Sequence, residues 1–440
     1  MARMSPMIGL EKVYVVAGHK TVQLGSGRKE FDPRNADYMQ NRKPHLDDMI
    51  VDAGLAVLGD VAGSPGKIGE VAELVDSGHF GNFMMQLTNN MQGHRPGFLS
   101  SIHPNLEFMA TSGTEGACAS GGLALAAGIK DILARQADLV LVVGAEEQNL
   151  VKAIYGADML SGAGHINRER KEGAAFFFPG AMSERVGAYI KHYEHADEFR
   201  AGMTQWVVNA YANGNLDPLS QIFKHGMSEG QIRVQAEKIS PSFTRYLSAL
   251  DCSKVTDAAA AVILASEEGL KKLRSLNAKF DYENTVQVVG LGMSGRDMTS
   301  DPAEPYKLAT TESAMEKVYR SALALGVVPE QIGLAEVHDC FSNIGVMMLE
   351  AAGIAEFGEG WKYVLDGHTA RNGECPVNPF GGLMSGHPVG ETGVRQAVDI
   401  YHQLTGQAGA NQINMTKERP FALALNMGGN DVTTVATLYR

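Results

Sequence analysis

The chain has 440 residues, of which 44% are hydrophobic and 20% charged, so it has the composition of a globular protein with a sizeable core. Its net charge of −12 and the lack of a basic face argue against nucleic acid as a partner. No apolar run reaches the roughly 18 residues that a membrane-spanning helix needs, so we expect no membrane insertion.

The four cysteines are far apart in the chain, with no CxxC pair and no zinc-like spacing; they are Cys118, Cys252, Cys340 and Cys375. We therefore expect free thiols, a reducing compartment and no bound metal. The first residues do not form a convincing signal peptide, and the last four (TLYR) are not a peroxisomal signal. These features predict a cytoplasmic protein, with a mitochondrial location as the alternative.

The first part of the chain alternates predicted strands and helices. Residues 11–18 are predicted as a strand, 44–60 as an amphipathic helix, 105–111 as a short strand and 118–136 as a helix of small residues. Residues 138–144 (DLVLVVG) are continuously apolar, which is typical of a strand buried on both faces of a parallel sheet.

Residues 148–246 differ in character from what precedes them. They are richer in charged and aromatic residues and lack strand-like apolar runs. The pattern predicts helices and long loops, laid over the core as an insertion. The strand signal then returns at residues 256–266 and 284–294.

The last part of the chain repeats this style without repeating its letters. Helices are predicted over residues 310–325, 343–353 and 392–405, with the strand IGLAEVHDCF before the second helix and a closing hairpin over PFALALNMGG and DVTTVATLYR. Each half thus presents a strand, a turn with reactive residues and a helix, as in a layered α/β fold.

Cys118 lies in the run GTEGACASGG, at a predicted strand-to-helix turn among small residues. The positive end of a helix dipole lowers the pKa of a thiol and favours the nucleophilic thiolate. Free N–H groups at a helix start can also stabilise an oxyanion. The alternative is an inert cysteine that packs a helix against a sheet, which is the commoner role of a lone cysteine.

His387 lies in the glycine-rich loop GGLMSGHPVGETG, just ahead of a predicted helix. Glycines let the backbone approach a ligand closely, and Pro388 stiffens the loop after the histidine. A histidine in this place can accept the proton of Cys118. The alternative is a histidine that caps the helix or packs in the core.

His338 and Cys340 stand two residues apart in EVHDCFSN. In an extended segment such residues point the same way, so both can face one pocket and form a proton relay. Asp339 points the other way and is expected to be structural. In the alternative interpretation, Cys340 is structural and His338 is a hydrogen-bonded core residue.

Together these motifs resemble those of the thiolase superfamily, and the resemblance covers essentially the whole chain. It rests on ACASG around Cys118, GHPVGETG around His387 and the closing Gly-Gly turn. Many thiolases carry an NEAF-like loop where this chain has HDCF, and a second cysteine in a CxG motif where it has LNMGG. The chain therefore resembles the sterol-carrier-protein-2 type of thiolase.

The resemblance implies a thiolase fold: two similar βαβαβαββ halves in a layered αβαβα core, with an inserted loop domain. It assigns residues 1–147 and 248–278 to the N-terminal half, 148–247 to the loop domain and 279–440 to the C-terminal half. It also implies a homodimer or a tetramer, acyl-CoA and CoA as substrates, and no tightly bound cofactor.

The resemblance also assigns roles in the reaction. Cys118 is acylated, His387 activates it, and Cys340 moves the proton at the acetyl-CoA carbon. His338 and His387 help to stabilise the thioester enolate. The backbone N–H groups of Cys118 and Gly428 form the second oxyanion hole.

Candidates for binding CoA are fewer and weaker. The charged run at residues 167–171 predicts a phosphate clamp of Arg168, Arg170 and Lys171, with a solvated loop as the alternative. Ser253 is a further candidate. The apolar residues 176–179 (FFFP) predict either a tunnel lining or core packing.

Two residues depart from the family pattern. Ala258 stands where a glycine is usual, and Glu391 stands in the GHP loop where alanine is common. Neither change removes a catalytic group, so we expect an effect only on CoA fit or chain-length preference.

Two rival functions remain open at this level. One is another condensing enzyme on the same fold, such as a decarboxylating ketoacyl synthase, which needs no second reactive cysteine. The other is a thiolase-like subunit that depends on a partner protein. Intact Cys118, His338, Cys340 and His387 argue against a degenerate subunit.

Overall fold

The protein is a mixed α/β structure built on one sheet. The computed structural model describes residues 11–28, 31, 44–88, 91–169, 176–240, 243–322 and 325–440. Nine strands lie within these ranges: Val13–Lys20 (β1), Ser77–Gly81 (β2), Ala110–Thr114 (β3), Leu139–Glu146 (β4), Ala258–Ala265 (β5), Val286–Gly295 (β6), Ile332–Glu336 (β7), Phe421–Gly428 (β8) and Thr433–Tyr439 (β9). Their order in the sheet is β3-β2-β4-β5-β1-β6-β9-β8-β7.

Helices cover the faces of this sheet. In chain order they are Leu46–Ala62 (α1), Ile68–Glu73 (α2), Met85–Thr88 (α3), Ser120–Leu133 (α4), Ala153–Leu160 (α5), Phe177–Tyr193 (α6), Ala196–Gly214 (α7), Glu229–Ala236 (α8), Glu267–Leu276 (α9), Ala309–Ser321 (α10), Ser342–Ala351 (α11), Gly360–Leu365 (α12) and Thr392–Leu404 (α13). None of the helices described here is long and apolar enough to cross a membrane.

The two halves of the sheet share one topology, as the resemblance implies. The first half contains the order β2-β4-β5-β1, and the second half contains the order β7-β8-β9-β6. These four strands correspond one to one, β2 with β7, β4 with β8, β5 with β9 and β1 with β6. A bridge between Ala335 and Val377 occupies the place of the third strand of that half. The halves join where β1 pairs with β6.

The sheet is mixed rather than parallel. β4 runs parallel to β2 but antiparallel to β5, and β5 is also antiparallel to β1. The prediction of an apolar strand buried on both faces is confirmed for β4, all of whose residues are buried. The predicted parallel pairing holds on the β2 side and fails on the β5 side, since a long apolar run reports burial and not strand direction.

Two helices form the middle layer between the half-sheets. Val140 and Val142 of β4 pack with Ala124 of α4 and Val394 of α13 on one face, while Leu141 faces the other side with α1. Helices α7, α10 and α11 pack on the outer face of the second half. This arrangement gives the expected layers of helix, sheet, helix, sheet and helix.

The strand predicted over residues 105–111 was placed too early. Pro104–Leu106 is instead a 3-10 turn, capped by the His103 side chain, which accepts a hydrogen bond from the Asn105 N–H. Phe108 then adopts a φ of 67°, and β3 begins only at Ala110. The side chain-to-backbone bond competes with strand pairing, which apolar pattern alone does not register.

The described residues of 148–247 contain helices and turns and no strand, in line with the predicted inserted region. Its helices α6 and α7 pack on the second half of the sheet through a core that includes Met182, Trp206 and Ile344. The domain boundaries themselves stay a prediction.

Candidate active site

Three reactive side chains from distant parts of the chain converge at one end of the sheet. Cys118 follows β3, His338 follows β7 and His387 precedes α13. One ligand atom of each lies within 4.8 Å of the other two, and the two imidazole centroids are 5.3 Å apart. Within the described part of the chain, neither Nε2 atom has a hydrogen-bond partner. The predicted cluster is thereby brought together.

The turn that carries Cys118 is tight and held by its neighbours. Ala117 adopts a φ of 54°, a left-handed conformation that is strained for a residue with a side chain. The Ser120 hydroxyl donates to the Ala117 carbonyl at 2.6 Å and accepts from the Gly116 N–H. The Glu115 carboxylate accepts from the Ala117 N–H at 2.6 Å. These bonds present Cys118 just ahead of α4.

The predicted lowering of the Cys118 pKa was wrong. Burial of the thiol raises its pKa to about 12, and the negative charge of Glu146 adds to this rise. Two backbone N–H groups, those of Gly429 and of Cys118 itself, oppose the shift. The desolvation of the sulfur outweighs the helix start.

The two N–H groups that bond to the Cys118 sulfur differ in part from the pair predicted as oxyanion donors, Cys118 and Gly428. One is the N–H of Cys118 itself, but the other belongs to Gly429. Gly428 packs instead on the turn before Cys118, where a Cβ would lie 2.0 Å from the Gly116 carbonyl oxygen. Its contribution is therefore a close backbone approach that only glycine permits.

His387 is fixed by contacts on its far side from Cys118. Its ring Nδ1 lies 3.1 Å from the Ser253 hydroxyl. Its backbone N–H donates to the Thr256 hydroxyl, and its backbone carbonyl accepts from the Gln148 side-chain amide. Burial, with help from the positive charge of Arg395, lowers the pKa of His387 to about 3. The ring is therefore neutral and keeps one nitrogen free to accept a proton.

His338 is fully buried and contacts Asn426, a residue of β8. The Asn426 amide nitrogen lies 3.3 Å from His338 Nδ1 and also donates to the Cys118 carbonyl at 3.0 Å. Burial lowers the pKa of His338 well below its usual value, and the nearby His387 and Arg395 lower it further. His338 is thus a second neutral imidazole facing the thiol.

Cys340 completes the group of predicted catalytic side chains. It is buried, and its carbonyl accepts a hydrogen bond from the Ser253 N–H at 3.0 Å. Burial raises the pKa of the Cys340 thiol well above its ordinary value, so this thiol is protonated as well.

Asp339 points away from this pocket, as predicted. Its carboxylate accepts hydrogen bonds from the Trp206 indole at 2.9 Å and from the Leu383 N–H at 2.7 Å. Burial raises the pKa of Asp339 to about 7. Asp339 therefore fixes the HDCF turn on α7 and the loop before His387.

Glu146, at the end of β4, clamps two loops at the site. Its carboxylate accepts from the backbone N–H groups of Phe83, Met84 and Gly390, each at 3.0 Å, and from the Asn82 amide at 2.7 Å. Burial nevertheless raises its pKa to about 7. The loop that carries His387 is thereby tied to the segment after β2.

Apolar side chains surround Cys118 on its outer side. Phe83, Met84, Ala117, Ala163 and Val389 form a buried cluster. Cys118 packs against this cluster together with three partly buried side chains, namely those of Met159, Leu160 and Phe178. The sulfur therefore faces imidazoles on one side and hydrocarbon on the other.

A buried ionic cluster lies behind the two histidines. Lys20 contacts Asp217 at 2.9 Å and Asp399 at 2.6 Å, while Arg395 contacts Asp399 at 3.6 Å and Glu391 at 3.3 Å. All five side chains are at least 93% buried. Burial raises the pKa of Glu391 to about 7. Glu391 is thus a member of this cluster, where the family pattern has alanine.

The residues predicted to bind CoA are only partly placed. Arg168 lies at a cavity of about 370 Å³, where its guanidinium pairs with Glu169 and Asp301. Arg170 and Lys171 lie outside the described residues. Phe176 and Phe177 line the same cavity, while Phe178 reaches the apolar cluster at Cys118. The Ser253 hydroxyl lies against His387 instead, 3.1 Å from its Nδ1.

The three converging side chains also have the spacing of a soft metal site. A thiol and two neutral imidazoles with free Nε2 atoms are ligands that zinc accepts. No metal was predicted from the sequence. The same atoms equally suit a nucleophile with its base and an oxyanion donor.

Two residues of the site were missed from the sequence. Asn426 is the one polar side chain in the strand FALALNMG, all of whose residues are buried. Glu146 ends the strand LVLVVGAE, which is also fully buried. A lone polar residue inside a buried apolar strand is the signal that would have found both, because such a group must be hydrogen-bonded.

The chain is similar in sequence to known proteins. Residues 297–440 match a family profile described as Thiolase C-terminal domain-like. Acetyl-CoA acetyltransferase of Methanothermobacter thermautotrophicus is 30% identical over 397 residues, which span 89% of this chain and 94% of that protein. Non-specific lipid-transfer protein-like 2 of Caenorhabditis elegans is 32% identical over 337 residues, 74% of this chain and 77% of its own.

Human sterol carrier protein 2 is 32% identical over 211 residues, 44% of this chain and 34% of that protein. Among solved structures, the Ltp2-ChsH2(DUF35) aldolase has a TM-score of 0.69 at 15% identity, over 97% of each chain. Human mitochondrial 3-ketoacyl-CoA thiolase in complex with CoA has a TM-score of 0.63 at 18% identity, over 100% of this chain and 99% of its own.

Proposed function

This chain belongs to the thiolase superfamily as a member of the sterol carrier protein 2 type, and we propose how its residues carry out thiolase chemistry. It is an acyltransferase, as its 30% identical relatives are. We propose reversible thiolytic cleavage or Claisen condensation of a 3-ketoacyl-CoA through an acyl group on Cys118. The observation that carries this is the convergence of Cys118, His338 and His387 within 4.8 Å.

In the cleavage direction, the Cys118 sulfur attacks the 3-keto carbon while its proton passes to His387. Because the thiol pKa is about 12 and the imidazole pKa about 3, the resting pair is neutral. Proton transfer must therefore accompany attack on the carbonyl instead of preceding it. The backbone N–H groups of Cys118 and Gly429 are proposed to bind the oxyanion that forms at the keto oxygen.

The C2–C3 bond then breaks, and its electron pair passes to the thioester as an enolate. We propose that His338 donates a hydrogen bond to the enolate oxygen and that Cys340 gives its proton to C2, so that acetyl-CoA leaves. His387 then passes the proton it holds to the Cys340 thiolate. Free CoA attacks the acyl group on Cys118 while its thiol proton goes to His387, which returns that proton to the departing Cys118 sulfur. Condensation is the reverse of these steps, and both directions predict ping-pong kinetics.

The substrates proposed are CoA and acyl-CoA thioesters. The cluster of Phe83, Met84 and Val389 beside Cys118 supports an apolar acyl group as its occupant. A homologous fold has been solved with CoA, which supports this ligand class. Rates of cleavage and condensation with a panel of ketoacyl-CoAs would determine the preferred chain length and direction.

We also propose a homodimer, or a tetramer built from it. Among the described residues, β3 pairs only with β2, and four of its five residues are exposed. An unpaired edge strand of this kind is suited to pairing with a second copy. Light scattering would test this, and a monomer at micromolar concentration would contradict it.

A second candidate is a catalytic subunit that works only with a partner protein. It is favoured by one observation, the likeness to the Ltp2-ChsH2(DUF35) aldolase, whose name joins two components. The other rival, a decarboxylating ketoacyl synthase, needs no second cysteine and is disfavoured by the intact Cys340 of the HDCF motif. An assay with a malonyl thioester in place of acetyl-CoA separates that rival from a thiolase.

The deciding experiment is thiolysis of acetoacetyl-CoA, followed by loss of the ketoacyl-CoA absorbance. We expect activity in the wild type, collapse in Cys340→Ala, and no acyl-enzyme by mass spectrometry in Cys118→Ala. Cys375→Ala is the matched control, because Cys375 is another buried free cysteine outside the site. A stable acyl adduct on Cys118→Ala, or full activity of Cys340→Ala, would overturn the proposed roles.

A further inference from the structure

We propose that Asn426 is a positioning residue that fixes the tautomer of His338, so that the His338 Nε2 carries its proton and donates into the site. The inference rests on the proposed function, since it explains how the enolate finds a hydrogen-bond donor. It is carried by three contacts of one buried amide, which reach Gly122, Cys118 and His338.

The orientation of the Asn426 amide is set by the backbone. The Gly122 N–H donates to Asn426 Oδ1 at 3.0 Å, so that atom must be the carbonyl oxygen. The Cys118 carbonyl, which can only accept, lies 3.0 Å from the other amide atom, which must therefore be the nitrogen. Both contacts demand the same orientation, so the usual ambiguity of an asparagine amide does not arise.

The tautomer of His338 follows from that orientation. An amide nitrogen only donates, and Asn426 Nδ2 lies 3.3 Å from His338 Nδ1. Nδ1 must then accept, and a neutral imidazole that accepts at Nδ1 carries its proton on Nε2. Nε2 has no partner among the described residues, so its N–H points into the pocket with Cys118 and His387.

The two histidines are thereby given different tasks. His387 Nδ1 meets the Ser253 hydroxyl, which can donate or accept, so this ring can exchange tautomers while it takes up a proton. His338 Nδ1 meets a group that can only donate, so its Nε2 remains a hydrogen-bond donor. A site with one base and one fixed donor is what enolate formation beside a thiol requires.

The surroundings of Asn426 are built for close contact. A Cβ on Gly122 would lie 2.7 Å from Asn426 Oδ1, and one on Gly393 would lie 2.4 Å from the same atom. The amide therefore lies between the first turns of α4 and α13. Ala119, the residue that caps α4, makes no side-chain cap bond, and Asn426 supplies an acceptor to the first turn from the opposite half of the protein.

The test replaces the amide by a carboxylate of the same shape, Asn426→Asp. A carboxylate cannot donate to Nδ1, so it should draw the proton there and leave Nε2 as an acceptor. We expect acetoacetyl-CoA cleavage to fall on the order of a hundredfold, the loss of one oxyanion donor. Exchange of labelled CoA into acetyl-CoA, which needs only Cys118 and His387, should fall far less.

The matched control is Asn411→Asp. Asn411 is also a buried asparagine, and its amide donates to two carbonyl groups, of Asn213 and Pro379, away from the site. Equal loss of cleavage in the two variants would overturn the proposal, since the effect would then be one of folding. A double-mutant cycle with His338→Gln, a donor without tautomers, should reduce the effect of Asn426→Asp.

The tautomer itself is read by nitrogen NMR of histidine-labelled protein. We expect the unprotonated nitrogen of His338 to be Nδ1 in the wild type and Nε2 in Asn426→Asp. A protonated Nδ1 in the wild type would overturn the proposal even if the enzyme is a thiolase. This spectrum also decides the inference if acetoacetyl-CoA proves not to be a substrate, so the two failures are distinguishable.

Discussion

Two clusters of polar side chains lie next to each other, and they end in opposite charge states although both are withdrawn from water. Among the described residues, Cys118 and His387 contact no charged side chain, and burial moves the pKa of each towards the neutral form. In the ionic cluster, Lys20 and Arg395 are as deeply buried, yet contact with carboxylates keeps their pKa values above normal. Partners, and not depth, decide which groups are charged.

The clusters are also coupled. Arg395 donates to the carbonyl of Gly386, the residue before His387, at 3.3 Å. Its positive charge lowers the pKa of both catalytic histidines, in addition to the larger effect of burial. The ionic cluster therefore helps to keep the imidazoles neutral. A neutral imidazole can accept a proton at one nitrogen and donate a hydrogen bond from the other.

The largest expected effect concerns the neutral thiol. Because the Cys118 pKa is raised to about 12, the thiolate fraction should grow about tenfold for each unit by which the pH rises towards that value. Alkylation of the wild type by iodoacetamide should thus accelerate about a thousandfold between roughly pH 6 and pH 9. Cys118→Ala reports the background from other thiols. If the alkylation rate instead reached a plateau near neutral pH, Cys118 and His387 would form a thiolate–imidazolium pair, and the site would not be neutral as proposed.

The next effect concerns the ionic cluster. Asp399→Asn removes the carboxylate shared by Lys20 and Arg395 and leaves both cations buried with too little charge opposite them. We expect the free energy of unfolding in urea to fall by about 3–5 kcal/mol. Glu268→Gln, in an exposed pair with Lys271, should leave it nearly unchanged, because water and salt screen the pair. Equal effects of the two substitutions would contradict the distinction between buried and exposed pairs.

A smaller effect is expected at Ser253. Removing its hydroxyl in Ser253→Ala leaves His387 Nδ1 without its partner, and a lost hydrogen bond corresponds to about a tenfold lower kcat. Ser253→Thr keeps a hydroxyl and should retain most of the activity. If the KM for CoA rises while kcat is unchanged, Ser253 binds CoA, as predicted from the sequence, and does not orient the histidine.

The smallest effect is expected at Arg168. Its guanidinium pairs with Glu169 and Asp301 at the surface, and such pairs contribute about 1 kcal/mol or less. Arg168→Ala should therefore leave the KM for CoA within about threefold of the wild type. A rise beyond about tenfold would restore Arg168 as a phosphate clamp. Arg233→Ala, in another exposed ion pair, is the control.

Local sequence was sufficient for the reactive groups. Glycine-rich or polar turns next to apolar segments carry Cys118, His387 and the two HDCF residues His338 and Cys340. Side chains on such turns gather at one edge of an α/β sheet. The apolar runs that became β4, β5 and β6 were equally clear. Strand direction was not, because burial on both faces gives the same apolar run in parallel and antiparallel neighbours.

What the sequence determined by itself was the set of side chains proposed for catalysis and the layered α/β fold that carries them. Only the tertiary structure decided their protonation, the glycine that faces the sulfur, and the part played by Asn426 and the cluster around Arg395. The physical reason is that motifs record which groups are present. Desolvation, pairing and hydrogen-bond direction depend on groups that the fold brings from opposite ends of the chain.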